Sequence, residues 1–240
     1  MSLEQPRVAI IGAGRLGTAL AAALRQAKIH VDGPFGRDID PTAADVVLLC
    51  VPDAAVGGVA LRLPKGAIVG HCSGALTLDA LAPHEALSMH PLMTVTARGA
   101  EFRGAACAIA ASSERARGVA MALARALGMH PIAVADADRA LYHAAASLAS
   151  NYLVALEGAA ERLASRVGVD RADLAPLVRA ALENWLTQGA AGALTGPVVR
   201  GDVETVARQR AAVAGAEPDL LPAWDALTEL TERLALTRTA

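Results

Sequence analysis

The sequence predicts a fold of the α/β class, with a doubly wound sheet in the amino-terminal part and helices alone after it. Three observations support this prediction. Apolar, β-favouring residues precede a glycine-rich turn and an alanine-rich helical stretch that extends to about Ala27. Strand and helix patterns then alternate as far as Val134, which is typical of a doubly wound sheet. From Asp138 onward, apolar residues recur at steps of three and four, which indicates helices.

The first strand, which begins at Val8, leads into the turn Gly12-Ala13-Gly14-Arg15-Leu16-Gly17. Its spacing is G-x-G-x-x-G, placed after a strand and before a helix. In that setting the first glycine permits the tight turn, the second lets backbone approach a pyrophosphate, and the third lets the helix pack close to the strand. We therefore predict a Rossmann dinucleotide site. Its predicted contacts are Gly12, Gly14, Arg15, Leu16 and Gly17.

The second predicted strand, Ile29 to Phe35, indicates which dinucleotide is bound. It is followed by Gly36 and Arg37, and Arg37 stands about 20 residues after Gly17. NAD-preferring proteins carry an acidic residue at that distance, for the ribose 2′-hydroxyl. A guanidinium suits a 2′-phosphate instead, so the sequence predicts NADP. The competing residue, Asp32, lies about 20 residues after Gly12, but inside the strand.

Five further strand-like segments precede the helical region. The first, Asp45 to Asp53, ends in Val51-Pro52-Asp53, a rigid corner at the sheet edge where cofactors bind, so we predict that these three residues contact the cofactor. The other segments are Ala67 to Gly74, Leu87 to Leu92, Gly104 to Ala111 and His130 to Val134, with helices over Leu76 to Ala82 and Ser113 to Leu127.

Two polar residues at predicted strand ends are candidates for catalysis. His90 is the first choice, because an imidazole with an ordinary pKa near 6.5 gains and loses a proton at neutral pH. Ser73 ends the preceding strand, where its hydroxyl can donate to a substrate oxygen or to the cofactor's carboxamide. The alternative for His90 is a strand-end histidine hydrogen-bonded to backbone.

The helical region begins with one long predicted helix, from Asp138 to about Val167. On it His143, Ser147 and Asn151 follow one another at steps of four and so share one face. Asn151 is the preferred substrate ligand and His143 a second proton donor, whereas a solvated face or a polar seam between subunits is the alternative. Three more helices are predicted over Asp170 to Gln188, Asp202 to Ala214 and Pro218 to Leu236.

The loop before the helix predicted to start at Asp202 holds one more candidate. Arg200 can clamp a substrate carboxylate through two hydrogen bonds, and a surface arginine is an equally good interpretation. Asp202, two residues later, is interpreted as a helix cap.

Composition excludes several classes of function. The 240 residues carry a net charge of −2 with acids and bases interleaved, which argues against a nucleic-acid partner. No apolar run approaches the roughly 20 residues that span a bilayer, and the amino end has no signal core, so we expect a soluble, cytoplasmic protein without a membrane partner. The spacing of His and Cys residues predicts no metal site.

Six segments together resemble one family: Gly12 to Gly17, Leu49 to Asp53, His71 to Gly74, Met89 to Leu92, Tyr142 to Tyr152 and Leu194 to Asp202. They are similar to a poorly characterised bacterial family that joins a Rossmann-like NADP-binding domain to a helical domain of unknown function. The resemblance covers nearly the whole chain. It implies kinship with the 6-phosphogluconate dehydrogenase-like superfamily, which includes ketopantoate reductase, pyrroline-5-carboxylate reductase, 3-hydroxyacid dehydrogenases and prephenate dehydrogenase.

The resemblance also implies roles for single residues. Prephenate dehydrogenases have a similar strand-end serine and His-Pro pair, and their histidine contacts the reacting hydroxyl, which favours Ser73 and His90. The 3-hydroxyacid dehydrogenases carry Lys-x-x-x-Asn on the first helix of the second domain. Asn151 matches the asparagine, whereas Ser147 stands in place of the lysine, so a histidine must supply the proton.

We therefore expect an NADP-dependent reductase that transfers hydride to the carbonyl carbon of a small, ketopantoate-like 2-oxo acid. A dinucleotide-binding domain is predicted over residues 1–135, and a helical substrate and dimerisation domain over 136–240. His90 is the expected acid, Ser73 and Asn151 orient the substrate, and His143 is the secondary donor. The alternatives are a non-catalytic NADP-binding or sensor protein and a cyclic imine reductase. A homodimer is expected by analogy.

Overall fold

The computed structural model describes residues 6–36 and 43–237, which belong to two compact units divided between Ser150 and Asn151. The domain boundary predicted from the sequence, between residues 135 and 136, falls just after the last strand. The first unit extends one helix further, because side chains of that helix contact residues at the ends of two strands.

The first unit is built on a seven-stranded sheet with the order β2-β1-β3-β4-β5-β6-β7. The strands are β1 (Val8–Ile11), β2 (Val31–Phe35), β3 (Val46–Leu49), β4 (Ile68–His71), β5 (Ala86–Pro91), β6 (Ala106–Ala111) and β7 (His130–Ala133). β1, β3 and β4 are buried along their whole length, as expected for strands covered on both faces.

All neighbouring strands run parallel except β5 and β6, which are antiparallel. Parallel neighbours need a crossover, which is usually a helix. The connection over residues 92–105 contains turns and bends but no helix, so the chain reverses direction there. As a result, β6 begins beside the end of β5, with Cys107 paired to Pro91.

Helices cover both faces of the sheet, which confirms the predicted doubly wound α/β class. α1 (Arg15–Gln26) and α3 (Glu114–Ala126) bury their apolar faces in one core cluster. α2 (Asp53–Ala60) packs in the second cluster, on the opposite face. α2 is not predicted by the sequence, because Gly57 and Gly58 lie in its interior and glycine is a poor helix former.

The single helix predicted over residues 138–167 is divided into three parts. α4 (Arg139–Ser147) and α5 (Leu153–Ser165) are α-helical, and a π-helical turn, Leu148–Tyr152, lies between them. Such turns occur as single insertions in α-helices, frequently at functional sites. Apolar periodicity alone does not reveal a π turn, because the residues on either side keep helical spacing.

The second unit continues with α6 (Arg171–Ala193), α7 (Val203–Ala216) and α8 (Leu221–Leu236). Two predicted helix starts are confirmed by capping hydrogen bonds, from the Ala172 amide to the Asp170 carboxylate and from the Thr205 amide to the Asp202 carboxylate. α6 is interrupted at Gly189, where φ is +71°, directly after the predicted end at Gln188. Within the described ranges, no helix is both long enough and apolar enough to cross a membrane.

Candidate functional site

The glycine turn between β1 and α1 has the close packing that its motif requires. Gly12 has a φ of +114°, which side-chain-bearing residues rarely adopt, and a Cβ there would stand 2.3 Å from the Cys50 carbonyl oxygen. A Cβ on Gly17 would stand 1.9 Å from the Gly12 carbonyl oxygen. Both positions therefore accept glycine only.

Gly14 differs from the other two glycines, because a Cβ there would meet nothing within 4 Å. It is exposed, and it occupies the N-cap position of α1 without a side-chain hydrogen bond to the first turn. The first amides of a helix lack intrahelical partners and favour an anion. Arg15 beside it is exposed, whereas Leu16 packs against the core. The turn thus presents an open, electropositive backbone surface.

The end of β2 is described only as far as Gly36, which is exposed, and a Cβ there would meet no atom of the described residues within 4 Å. Arg37, the residue predicted to select NADP, lies outside the described residues. Asp32, the competing residue, lies within β2 as predicted, and its carboxylate has partners inside the chain. Its oxygens lie 3.3 Å from Arg7 Nη2 and 3.3 Å from His30 Nε2.

The corner after β3 leads directly into α2. Val51 is half-buried against the second core cluster, Pro52 occupies the N-cap position of α2, and Asp53 is its first residue. The Asp53 carboxylate accepts a 2.7 Å hydrogen bond from the Ser73 hydroxyl. The corner and the turn after β4 are therefore joined at one edge of the sheet, as expected for parallel neighbours.

The Ser73 hydroxyl is fully used within the chain. Besides donating to Asp53, it accepts from the amides of Ala75 at 3.1 Å and Leu76 at 3.0 Å. A serine hydroxyl has one donor and two acceptor positions, so none is left over. Ser73 holds the turn after β4 in place, and its role as a substrate ligand stays a prediction.

His71, at the end of β4, supports the same turn. It is fully buried, its Nδ1 accepts from the Ser73 amide at 3.2 Å, and its Nε2 lies 3.3 Å from the Thr77 carbonyl oxygen. These partners fit a neutral ring with the proton on Nε2. Burial above all, and then the charge of Arg139, lowers the pKa of His71 to about 4.

His90 lies near the end of β5 and pairs with Tyr142 of α4. Its Nδ1 is 2.8 Å from the Tyr142 hydroxyl, and the two rings meet edge to face with centroids 5.5 Å apart. Burial, followed by the charges of His143 and Arg139, lowers the pKa of His90 to about 4. His90 is therefore a neutral imidazole at neutral pH, which corrects the expectation of a group that titrates near pH 6.5.

His143 and the turn after β4 complete this cluster. The His143 ring centroid lies 6.1 Å from that of His90. A Cβ on Gly74 would stand 2.6 Å from His143 Cδ2 and 3.0 Å from His90 Nε2, so only glycine lets both rings approach this backbone. The structure thus brings together three predicted positions: His90, His143 and the turn that Ser73 begins.

Asn151, the predicted substrate ligand, falls in the second unit and inside the π turn. The row through His143, Ser147 and Asn151 was predicted on the 3.6-residue period of an α-helix, which a π turn does not keep. The role of Asn151 stays a prediction.

Two residues of the site were missed by the sequence analysis, Tyr142 and Arg139. Tyr142 immediately precedes His143, and it is one of only two tyrosines in the chain. Arg139 stands at the start of α4 with its side chain only 1% exposed, and its Nε donates to Asp136 at 3.0 Å. Their spacing in the sequence could have indicated both residues, because Arg139 and Tyr142 are three residues apart and such residues lie on the same side of a helix.

The glycine turn and the polar cluster at the ends of β4 and β5 define the class of protein, a Rossmann-type α/β fold followed by a helical unit. The particular family follows from a family model described as "Domain of unknown function (DUF2520)". It matches residues 105–231, more than half of the chain, and the chain belongs to this family. The resemblance stated from the sequence is confirmed. No curated protein is similar enough to the chain to count as a match.

Solved structures share the fold over nearly the whole chain. A protein assigned as an NADP oxidoreductase from Bacteroides fragilis has a TM-score of 0.84 at 19% identity, over 97% of this chain and 100% of its own. A Thermotoga maritima protein has a TM-score of 0.78 at 22% identity, over 97% and 100%. A reductive aminase from Aspergillus terreus, in complex with NADPH and ethyl-5-oxohexanoate, has a TM-score of 0.68 at 19% identity, over 96% and 94%.

Proposed function

We propose that the protein is an NADP-dependent oxidoreductase that reduces the carbonyl group of a small 2-oxo acid, of which ketopantoate is the leading example. The observation that carries the proposal is the hydrogen bond between His90 and Tyr142, beside Gly74 and His143. It lies at the carboxyl ends of parallel strands, the edge at which open α/β sheets bind their ligands. Proteins of the same fold that act with or hold NADP support this proposal.

The glycine turn fits the pyrophosphate of the cofactor. Gly12 and Gly17 are packed too closely for any side chain, while Gly14 leaves its backbone and the first amides of α1 open. When bound, the reduced nicotinamide supplies a hydride. The preference for NADP over NAD rests on Arg37, and the contact between Asp32 and Arg7 supports it, because that carboxylate already has a partner.

His90 acts in this proposal as a neutral proton donor. Its Nε2–H donates to the carbonyl oxygen of the substrate, and the Tyr142 hydroxyl donates to Nδ1. The substrate oxygen takes the proton from Nε2 as the hydride is transferred, and the ring then regains a proton from solvent, so Tyr142 keeps its own. Burial raises the pKa of Tyr142 to about 12, so the phenol stays protonated at neutral pH and can hold Nδ1 as a hydrogen-bond acceptor. The exposed His143 is the secondary donor.

The test is NADPH oxidation by the full chain against a panel of 2-oxo acids and cyclic imines. We expect His90→Gln to lower kcat by about 10²–10⁴-fold, the usual contribution of a positioned acid. Tyr142→Phe removes one hydrogen bond and is expected to lower kcat by about 3–10-fold. His130→Gln, at an exposed position in β7, is the matched control and should leave kcat unchanged.

The panel also separates the alternatives. Turnover of cyclic imines without turnover of 2-oxo acids would assign the protein to imine reduction. NADPH binding without any turnover, and without a response to His90→Gln, would favour a sensor protein. A kcat that His90→Gln leaves unchanged on a 2-oxo acid would contradict the proposed role of His90.

We further infer that the chain forms a homodimer through its helical unit. Large apolar side chains of that unit are exposed, among them Leu177 at 69%, Trp185 at 53% and Leu186 at 68%. Exposed apolar surface of this kind is typical of a face that binds another protein. Light scattering after size exclusion should give twice the 24.4 kDa mass of the chain. A monomeric mass would contradict the inference.

A further inference from the structure

Two buried polar side chains of the first unit lack hydrogen-bond partners among the described residues. The atoms without a partner are Nη1 and Nη2 of Arg139 and Oγ of Ser88. The Arg139 side chain is 1% exposed and Ser88 is 0% exposed. Leaving such groups without partners is costly, so each instance calls for a physical explanation.

Both side chains belong to the surroundings of His71 and His90. Ser88 pairs in register with His71 on β4, and it lies two residues before His90 on the same face of β5. The charge of Arg139 acts on both histidines. The residues opposite Ser88 and His90 on β6 are Ala110 and Ala108, whose methyl groups take up little of this sheet face.

The charge balance here favours an anion. Among the residues that the structure describes, Arg139 has one ion-pair partner, Asp136, which contacts Nε only and has a side chain that is 43% exposed. The histidines are neutral at neutral pH, since their pKa values are about 4. The other nearby carboxylate, that of Asp53, accepts from Ser73. The two amino groups of Arg139 thus present a planar fork with no carboxylate on it, and a carboxylate matches such a fork with two parallel hydrogen bonds.

We propose that Arg139 and Ser88 bind the carboxylate group of the substrate. This inference rests on the proposed function and specifies how its substrate is recognised. In a 2-oxo acid the carbonyl carbon is bonded directly to the carboxylate carbon. A carboxylate held on Arg139 therefore keeps the carbonyl oxygen within reach of a neighbouring donor, and His90 is that donor. Arg200, the candidate from the sequence, is exposed and lies in the second unit.

The experiment measures binding without turnover. Oxalate has the shape of a small 2-oxo acid but is not reduced, and oxamide is its neutral counterpart. Titration calorimetry of the full chain with NADPH present is expected to show binding of oxalate and none of oxamide. Arg139→Gln should weaken the binding of oxalate about 10–100-fold, the effect of losing hydrogen bonds to a charged group. Ser88→Ala should weaken it about 2–10-fold. Arg98→Gln, at an exposed loop arginine, is the matched control and should leave the affinity unchanged.

Thermal unfolding distinguishes a binding role from a structural one. Arg139→Gln loses one hydrogen bond to the partly exposed Asp136, but it also removes the cost of burying Nη1 and Nη2 without partners, so its Tm without ligand should stay close to that of the wild type. If Arg139→Gln does not fold, Arg139→Lys, which keeps the charge but loses the fork, and Ser88→Ala carry the test. Weaker binding of oxalate by these two variants supports the site.

Absence of oxalate binding to the wild type, or binding that Arg139→Gln leaves unchanged, overturns the proposal. Its failure is distinguishable from that of the proposed function. If oxalate binding depends on Arg139 but no substrate is reduced, the anion site stands and the reductase proposal fails. If a 2-oxo acid is reduced while oxalate affinity is the same in Arg139→Gln, the anion site fails and the reductase proposal stands.

Discussion

Replacing Gly17 with alanine is expected to damage both the fold and NADPH binding. A Cβ at this position would stand 1.9 Å from the Gly12 carbonyl oxygen, whereas non-bonded heavy atoms rest about 3.5 Å apart. The start of α1 must therefore move away from the turn by about 1.5 Å. Overpacking in a closely packed interior costs about 1–3 kcal/mol, which for a chain of this size lowers Tm by about 2–12 °C.

Gly14→Ala separates binding from folding, because its added methyl group meets nothing within 4 Å. Tm should stay close to that of the wild type. The methyl group would stand beside the amides that receive the pyrophosphate, so NADPH affinity should fall about 10–100-fold, the effect of losing hydrogen bonds to a charged group. Gly118→Ala in α3, which also adds its methyl in open space, is the matched control; it should keep the NADPH affinity, and its Tm should not fall, because alanine favours a helix more than glycine does.

The two readouts are titration calorimetry with NADPH and NADH, and thermal unfolding followed by circular dichroism. The prediction is refuted if Gly14→Ala binds NADPH as tightly as the wild type. It is equally refuted if Gly17→Ala matches Gly118→Ala in both Tm and affinity. Tighter binding of NADH than of NADPH by the wild type would refute only the cofactor preference.

Three more predictions concern the rest of the first unit. The pKa values of His71 and His90 are about 4, below the ordinary 6.5, so between these pH values the native state binds fewer protons than the unfolded chain. The free energy of unfolding should therefore fall as pH drops from about 6.5 to about 4. Urea titrations that give equal free energies of unfolding at pH 6.5 and pH 4 would contradict this prediction. Gly74→Ala places a Cβ against His90 and His143 and should lower kcat about 100-fold while NADPH affinity stays unchanged. An unchanged kcat on the best substrate of the panel would contradict the role proposed for these two histidines. Ser113→Ala removes the cap on the Ala116 amide and should cost about 1 kcal/mol in urea unfolding, and no loss would mean that the cap is dispensable.

Local patterns in the sequence predict much of the fold. The strand, turn and helix from Val8 to Gln26 follow from a glycine spacing and an apolar run, both of which are read within a few residues. The starts of α3, α6 and α7 follow from Ser113, Asp170 and Asp202, because a capping side chain bonds an amide two or three residues away.

Features that depend on distant parts of the chain were not predictable in this way. Tyr142 and His90 are 52 residues apart, and nothing near either residue indicates their hydrogen bond. The antiparallel pairing of β5 with β6 depends on how a 14-residue connection folds back, and strand propensity does not specify strand direction. The lowered pKa of His90 follows from burial, which only the packed structure reveals.

The saturated hydroxyl of Ser73 has a consequence for the energetics of recognition. Its three hydrogen bonds, with those of His71, fix the backbone from Ser73 to Leu76 during folding. The conformational entropy of this loop is therefore lost before any ligand arrives. A ligand that binds against Gly74 then pays no entropy cost for ordering this loop, so its contacts with the loop contribute in full to the binding free energy.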